Sequence, residues 1–340
     1  MPIHYGSQIE EHHRVRESVG VFDVSHMVAV DLAGRDSKAL LQMLLANDVN
    51  KLQQDGKALY SCMLNPNGGV IDDLIVYRRA PDLYRLVLNA GTAANDLEWI
   101  TEHSKNFTVA IEKRTDLAIL AIQGPTARQI TAPLLGEIPG LMELPRFHCL
   151  EFEELFIART GYTGEDGFEV ILPTDNACQL WDELIAAGIA PVGLGARDTL
   201  RMEAGLCLYG QDLDPQHSPL ESGLEWTIAW QPETRDFIGR DALTAQRSHA
   251  NSLFTGILLE DRGVLRSGMT LLHNDNKVGV TTSGGFSPTL QRSIALARID
   301  ADVATDPAFT SLKVDIRGKQ KAVRVVPLPF VKNGKITTAL

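Results

Sequence analysis

The sequence has no G-x-x-x-x-G-K-[ST] loop and no complete G-x-G-x-x-G turn, so neither a nucleoside triphosphate nor a dinucleotide finds its usual phosphate cradle. The nearest approach, Gly193 and Gly195 in "GLGARD", lacks the third glycine. A G-x-S-x-G nucleophile elbow is also missing, which removes that route to Ser/His/Asp chemistry. Cysteine is scarce and scattered: Cys62, Cys149, Cys178 and Cys207 form no CxxC pair and have no histidine at zinc-ligand spacing, so they read as reduced, structural thiols. Positive charge is in deficit, 32 Lys+Arg against 43 Asp+Glu, and the net charge of -11 argues against a nucleic-acid binder that works by neutralising phosphates. No apolar run approaches a membrane span, and Glu10 and Glu11 stand where a targeting segment would be basic and apolar; a cytoplasmic location is expected, with no membrane partner. Low-complexity linkers and short-period repeats are absent as well. The adjacent His12 and His13 point apart on any regular element and are expected at the solvated surface, not in a metal site.

What is present is the composition of a globular protein, 44% hydrophobic and 22% charged, in a chain of 340 residues that is too long for one ordinary core. "SHMVAVDLAG" alternates as a strand, and "RDSKALLQMLLANDV" places Leu40, Leu41, Leu44 and Leu45 on one helical face. "KALYSCML" and "VIDDLIVYRR" flank "NPNGG", the turn chemistry of a hairpin. "LYRLVLNA" predicts a third strand, "DLEWITEHS" a helix, "LAILAIQGP" a strand and "TARQITAPLL" a helix. After residue 145 strands surround a glycine-rich bend in "LEFEELFIARTGYTGEDGFEVILP", and "NACQLWDELIAAG" is helical. From about residue 250 only short strands and turns remain, the pattern of a small all-β barrel or sandwich. The expectation is an α+β region over 1–250, made of two interleaved subdomains, and a C-terminal all-β domain over 251–340.

The candidate chemistry lies in carboxylates. Asp96 falls in the first turn predicted for a helix, where the helix dipole alone is reason enough for an acidic residue. Asp72 and Asp73, neighbours on a strand, must face opposite ways. Glu203 shares a predicted helical face with Leu200 and Cys207, where a carboxylate needs a partner; Arg197 and Arg201 are the local ones, and a ligand with two adjacent N–H donors is the alternative. Gly161, Gly164 and Gly167 precede a strand and read as a tight loop, and "SGGFSP" at 283–288 reads as a turn.

"YGSQIEEHH", "VGVFDVSHM", "YSCMLNPNGGVIDDLIVYR", "TGYTGEDGFEV", "GLGARDTLRMEAGLCLYGQDLD", "WTIAW", "DFIGRDAL", "GVLRSG" and "TSGGFSPTL" occur in one order from end to end. In these the chain resembles the T-protein family of the glycine cleavage system, tetrahydrofolate-dependent aminomethyltransferases. The resemblance implies a three-domain, cloverleaf-like fold with folate in a central channel. It implies the reaction of aminomethyl-dihydrolipoyl H-protein with tetrahydrofolate, giving 5,10-methylene-tetrahydrofolate, ammonia and dihydrolipoyl H-protein, with no metal. Carried over by residue, it gives the key aspartate at Asp96, seven positions after Asn89 at the strand end. It also gives a pterin-pairing glutamate at Glu203, a tail-contacting arginine at Arg235, a further contact at Lys335, and channel-lining positions at Tyr162 and Met63. Two relatives of this architecture offer alternatives: a folate-binding protein that supports iron-sulfur cluster maintenance, whose K-G-C-Y-x-G-Q-E is only echoed by "LCLYGQD", and the folate domain of sarcosine and dimethylglycine dehydrogenases, normally fused to a flavin domain. A folate-binding scaffold without turnover is a third.

Overall fold

The computed structural model describes residues 2–247, 251–304 and 312–337. The chain runs through α1 (Gln8–Glu17), β1 (Gly20–Asp23), β2 (Val28–Ala33), α2 (Ser37–Leu44), β3 (Ala58–Leu64), β4 (Val70–Ala80), β5 (Leu83–Leu88), α3 (Ala93–His103), β6 (Ala110–Lys113), β7 (Leu117–Gln123) and α4 (Ala127–Leu135). It continues with β8 (Cys149–Phe152), β9 (Leu155–Ala158), β10 (Gly167–Pro173), α5 (Thr174–Ala186), β11 (Ala190–Pro191), α6 (Leu194–Glu203) and α7 (Arg240–Gln246). The last part holds β12 (Ser252–Leu259), β13 (Thr270–His273), β14 (Asn276–Ser287), β15 (Arg292–Asp300), α8 (Ala301–Ala304), β16 (Leu312–Ile316), β17 (Lys319–Val326), β18 (Val331–Lys332) and β19 (Lys335–Ile336).

Apart from the two-stranded β18–β19 hairpin, these strands form three separate units: a six-stranded sheet in the order β11-β1-β7-β10-β9-β8, a five-stranded sheet β3-β4-β5-β2-β6, and a closed barrel β12-β15-β14-β13-β16-β17. The first two interleave, because β1 pairs with β7 and β11 while the chain between β1 and β7 builds the other sheet. Closure of the barrel by β12 against β17 decides between the barrel and sandwich readings. The expected boundary at 250 falls at residues 248–250, outside those described; the first barrel strand starts at Ser252.

Each unit has its own apolar layer. On the five-stranded sheet, Leu40, Leu41 and Leu44 of α2 are buried against Val30, Leu32, Leu74, Val76 and Leu86, each large aliphatic side chain contributing about 1.5–3 kcal/mol. Strand alternation sorts β3: Leu59 and Met63 enter this layer, while Tyr60, Cys62 and Leu64 face the junction with residues 207–243. The β3–β4 turn is held by Asn65, whose Oδ1 accepts from the Asn67 and Gly69 amides at 2.9 and 3.1 Å. Gly69 is required there because a Cβ would sit 1.9 Å from the Pro215 carbonyl oxygen.

Two local readings are corrected. "SGGFS" is strand, the end of β14, and Gly284 serves close packing there: a Cβ on it would lie 2.8 Å from the Arg266 backbone nitrogen. Helix α6 stops at Glu203, so Cys207 lies beyond it and shares no helical face with Leu200. No helix among the described residues is long and apolar enough to cross a membrane.

Candidate active site

Strand β5 ends at Leu88, and the next residue, Asn89, organises the entry into α3. Its carbonyl accepts from the Thr92 hydroxyl at 3.1 Å and from the Ala93 amide at 3.0 Å, which starts the helix. Its side-chain amide donates to Asp72 Oδ1 at 2.9 Å, to Asp73 Oδ1 at 3.1 Å and to the Asp73 carbonyl at 2.9 Å. Asn89 therefore clamps the two adjacent carboxylates of β4 and aims the first turn of α3 over them. Asp72 lies on the face that carries Leu74 and Val76, opposite Met63 in the register. Asp73 lies on the other face and accepts from the Tyr60 hydroxyl at 2.8 Å; the Tyr60 ring stacks on the exposed Trp226 at 5.6 Å. The aspartate pair thus splits between faces, and both members are bound to Asn89.

Asp96, in the first turn of α3, is 0% exposed, and neither carboxyl oxygen has a hydrogen-bond donor among the described residues. A helix N-terminus stabilises a carboxylate by about 0.3–1 kcal/mol, less than one pKa unit at about 1.36 kcal/mol per unit. Burial outweighs it, and the neighbouring Asp72 charge acts in the same direction, raising the Asp96 pKa to about 9. Asp73 is raised to about 7 by burial and then by Asp72, and Asp72 itself is raised by burial, against the opposing bonds from Asn89. No Lys, Arg or His forms an ion pair with any of the three among the described residues. No group of three or more His, Cys, Asp or Glu among them could hold a metal ion.

The other predicted residues do not all gather here. Tyr162 is half-buried, donates its hydroxyl to the Cys207 carbonyl, and lies under the Arg197 guanidinium, 4.4 Å from ring centroid to Cζ. Met63 is a core residue, 0% exposed in the apolar layer of the five-stranded sheet, and is the cross-strand partner of Asp72. Lys335 is exposed on the β18–β19 hairpin, whose Gly334 amide donates to Glu165 at 2.8 Å.

Glu203 and Arg235 have their polar atoms filled by the protein. Glu203 accepts from Arg16 Nε and Nη2 at 3.1 and 2.9 Å, from the Ser287 hydroxyl at 2.5 Å, and from the Thr289 amide and hydroxyl at 3.0 and 2.7 Å; His12 Nε2 lies 3.2 Å away. These donors use both oxygens, leaving no free pair for a pteridine, and they tie α1, α6 and the barrel together. Burial would raise the Glu203 pKa; His12 and Arg16, with Ser287, hold it at about 2. The local partners expected for it are occupied elsewhere. Arg201 binds Asp198, Asp212 and Ser283, and Arg197 turns to Tyr162. His12, expected at the surface, is 0% exposed inside this network.

Arg235 donates to the Gln42 side chain and to the carbonyls of Gln42, Leu45, Ala46, Asn47 and Ala229, so all its N–H groups are used. It caps the C-terminal end of α2, the favourable end for a cation, and burial lowers its pKa to about 10. A tail carboxylate meets no spare donor there.

Sequence reasoning named Arg197 only as a local partner for Glu203, not as a ligand-binding cation. It stands in the first turn of α6, its pKa lowered by burial, with no carboxylate ion pair among the described residues and only the Met27 thioether, 3.8 Å away, as a hydrogen-bond acceptor. Its i+4 neighbour Arg201 and its i+6 neighbour Glu203 drew attention through their own partners; nothing in the spacing marks Arg197 as the one left unpaired.

Comparison with known proteins bears on this geometry. Residues 1–232 match the GCVT N-terminal domain and residues 254–332 the glycine cleavage T-protein C-terminal barrel domain. Proteins named aminomethyltransferase are 53% identical in Stenotrophomonas maltophilia (strain R551-3), over 98% of this chain and 91% of the relative, and 48% identical in Legionella pneumophila (strain Paris), over 98% and 92%. The crystal structure of glycine cleavage system aminomethyltransferase T from Bartonella henselae superposes with a TM-score of 0.92 at 34% identity, covering 99% of this chain and 93% of that one. With both domains matched and the fold shared from end to end, the chain belongs to the glycine cleavage T-protein family.

Proposed function

We propose that this chain transfers the aminomethyl carbon from a dihydrolipoyl arm of the H-protein to tetrahydrofolate, giving 5,10-methylene-tetrahydrofolate, ammonia and the free dithiol. It is an aminomethyltransferase, as its relatives are named. The observation that carries the finer reading is Asp96: a fully buried carboxyl with two unmet acceptor atoms, set among two more carboxyls and no cation. Such a place is complementary to N–H donors and to developing positive charge, which is what an amine acceptor and a departing aminomethyl group bring.

Asp96 orients the folate amines and stabilises positive charge as the C–S bond breaks; Asn89 fixes the carboxyls beneath it. Tyr162 forms the aromatic wall under Arg197, and Arg197 is the cation we assign to the glutamate tail of the folate, a role the family resemblance gives to Arg235. Glu203 and Arg235 support the site from behind, one through α6 and the barrel, the other through α2. Lys335, exposed on its hairpin, is the candidate contact for an outer anionic group. The test is ammonia release from aminomethylated H-protein with and without tetrahydrofolate. Release that depends on tetrahydrofolate supports the reading, and its absence overturns it.

A further inference from the structure

Tyr162 projects from the loop between β9 and β10, and among the described residues no backbone–backbone hydrogen bond is made by residues 160–163. Thr160 and Thr163, on either side of Gly161 and Tyr162, are nevertheless buried, so side chains must take the place of the missing main-chain partners. Gln123, the buried last residue of β7, does this for both ends of the dipeptide. Its Nε2 donates to the Thr160 carbonyl at 3.1 Å, with the Ile122 and Phe168 carbonyls at 3.3 and 3.5 Å. Its Oε1 accepts from the Thr163 hydroxyl at 3.0 Å.

The fit leaves no room for another residue at either partner. A Cβ on Gly161 would sit 1.9 Å from Gln123 Oε1 and 2.5 Å from its Cδ. Gly161 has no positive φ, so glycine stands there for the closeness of this side chain and not for backbone conformation. Glutamate at 123 would set a second acceptor against carbonyl oxygens, whereas the amide matches a donor to one end of the loop and an acceptor to the other. The remaining ties of the loop act on single points. Arg16 Nη1 donates to the Thr163 carbonyl at 2.7 Å, the Thr160 hydroxyl donates to Glu169 and stands 3.1 Å from the Tyr77 hydroxyl, and the Tyr162 hydroxyl donates to the Cys207 carbonyl. None of these joins Thr160 to Thr163.

We propose that Gln123 is a positioning residue for folate: by fixing the spacing of Thr160 and Thr163 it holds the Tyr162 ring beneath Arg197, 4.4 Å from centroid to Cζ. This rests on the reading of the chain as a tetrahydrofolate-dependent transferase with Tyr162 and Arg197 at the folate. A loop released from the clamp spends part of its time away from that position, and the apparent dissociation constant rises by the inverse of the competent fraction while chemistry on bound substrate is unchanged.

The experiment is the kinetics of tetrahydrofolate-dependent ammonia release by Gln123→Met, which removes both hydrogen-bonding ends at similar length. The KM for tetrahydrofolate should rise about fivefold or more, with kcat within about threefold of wild type. In a Tyr162→Leu background the same substitution should change KM by less than about twofold, because the group it positions is gone. A fall in kcat at unchanged KM, the result of lost folded protein, overturns the proposal, and so do equal rises in KM in the two backgrounds. If Gln123→Met does not fold, Thr163→Val, which takes the hydroxyl donor from Oε1 at nearly constant size, enters the same cycle and the same outcomes decide. A crystal structure of the folded variant tests the clamp without turnover: a Tyr162 ring displaced from beneath Arg197 supports it, and a ring in place overturns it. A wild-type chain that releases no ammonia would therefore fail the functional reading while the clamp is still tested.

Discussion

Replacing Glu203 by alanine separates a ligand-binding role from a structural one. The substitution strips Arg16, His12, Ser287 and Thr289 of a common acceptor and leaves the Arg16 guanidinium buried with Glu165 as its remaining carboxylate. Removing one partner of a buried, hydrogen-bonded charge pair costs about 3–5 kcal/mol, and the number of donors released puts this site toward the upper end. At about 2–4 °C per kcal/mol, the first melting transition should fall by on the order of 10 °C. The sign of the pH dependence comes from the lowered pKa. With the folded value at about 2 and the ordinary value at 4.5, the stabilisation is fully present above pH 4.5 and is lost as pH falls toward 2. Urea denaturation at pH 7 and at pH 3 should therefore show a wild-type advantage over Glu203→Ala that shrinks on acidification. Glu203→Met, which fills the volume, should recover part of the loss only when Arg16 is also replaced by an apolar residue. A Glu203→Ala chain with wild-type melting and a hundredfold loss of tetrahydrofolate affinity by calorimetry would refute the structural reading and return the residue to the pteridine.

Asp96→Asn should cut ammonia release by about 10²–10⁴-fold with little change in tetrahydrofolate affinity; because the folded pKa is raised to about 9, the variant should also gain stability over wild type progressively from about pH 4 to pH 9, and unchanged turnover would remove the residue from the chemistry. Arg235→Ala should lower stability by roughly 3–5 kcal/mol in urea titrations by exposing the α2 terminal carbonyls, and Arg235→Lys should not restore it, since one ammonium cannot serve five carbonyls; a lysine variant of wild-type stability would contradict the capping role. Arg197→Gln should raise the KM for tetrahydrofolate by about 10-fold or more, with a larger effect on polyglutamylated forms, at nearly constant melting temperature; equal KM values for wild type and variant would leave the tail without this cation.

Local order was legible along most of the chain because its causes are local. The leucine spacing of α2, the "NPNGG" turn and the short strands after residue 250 each carry their own periodicity, and all appear in the structure. Asp96 could be placed in the first turn of a helix for the same reason. What that position did to the side chain could not be read, because its charge is governed first by burial that only the packed sheet creates, and then by Asp72, twenty-four positions earlier. "SGGFSP" misled because small polar residues signal turns unless a neighbouring backbone runs too close for a side chain, as that of Leu265 and Arg266 does beside Gly284.

The sequence by itself determined the elements, the end-to-end family resemblance and the residue types available for chemistry. The tertiary structure decided which of the polar side chains were already spent. Glu203 and Arg235 looked available because their donors and acceptors come from α1, the barrel and the end of α2, all distant in the chain. Arg197 looked ordinary because being unpaired is a property of the folded neighbourhood. Hydrogen-bond capacity is written in each residue, but whether the protein or a ligand uses it is settled by long-range contacts that no local pattern encodes.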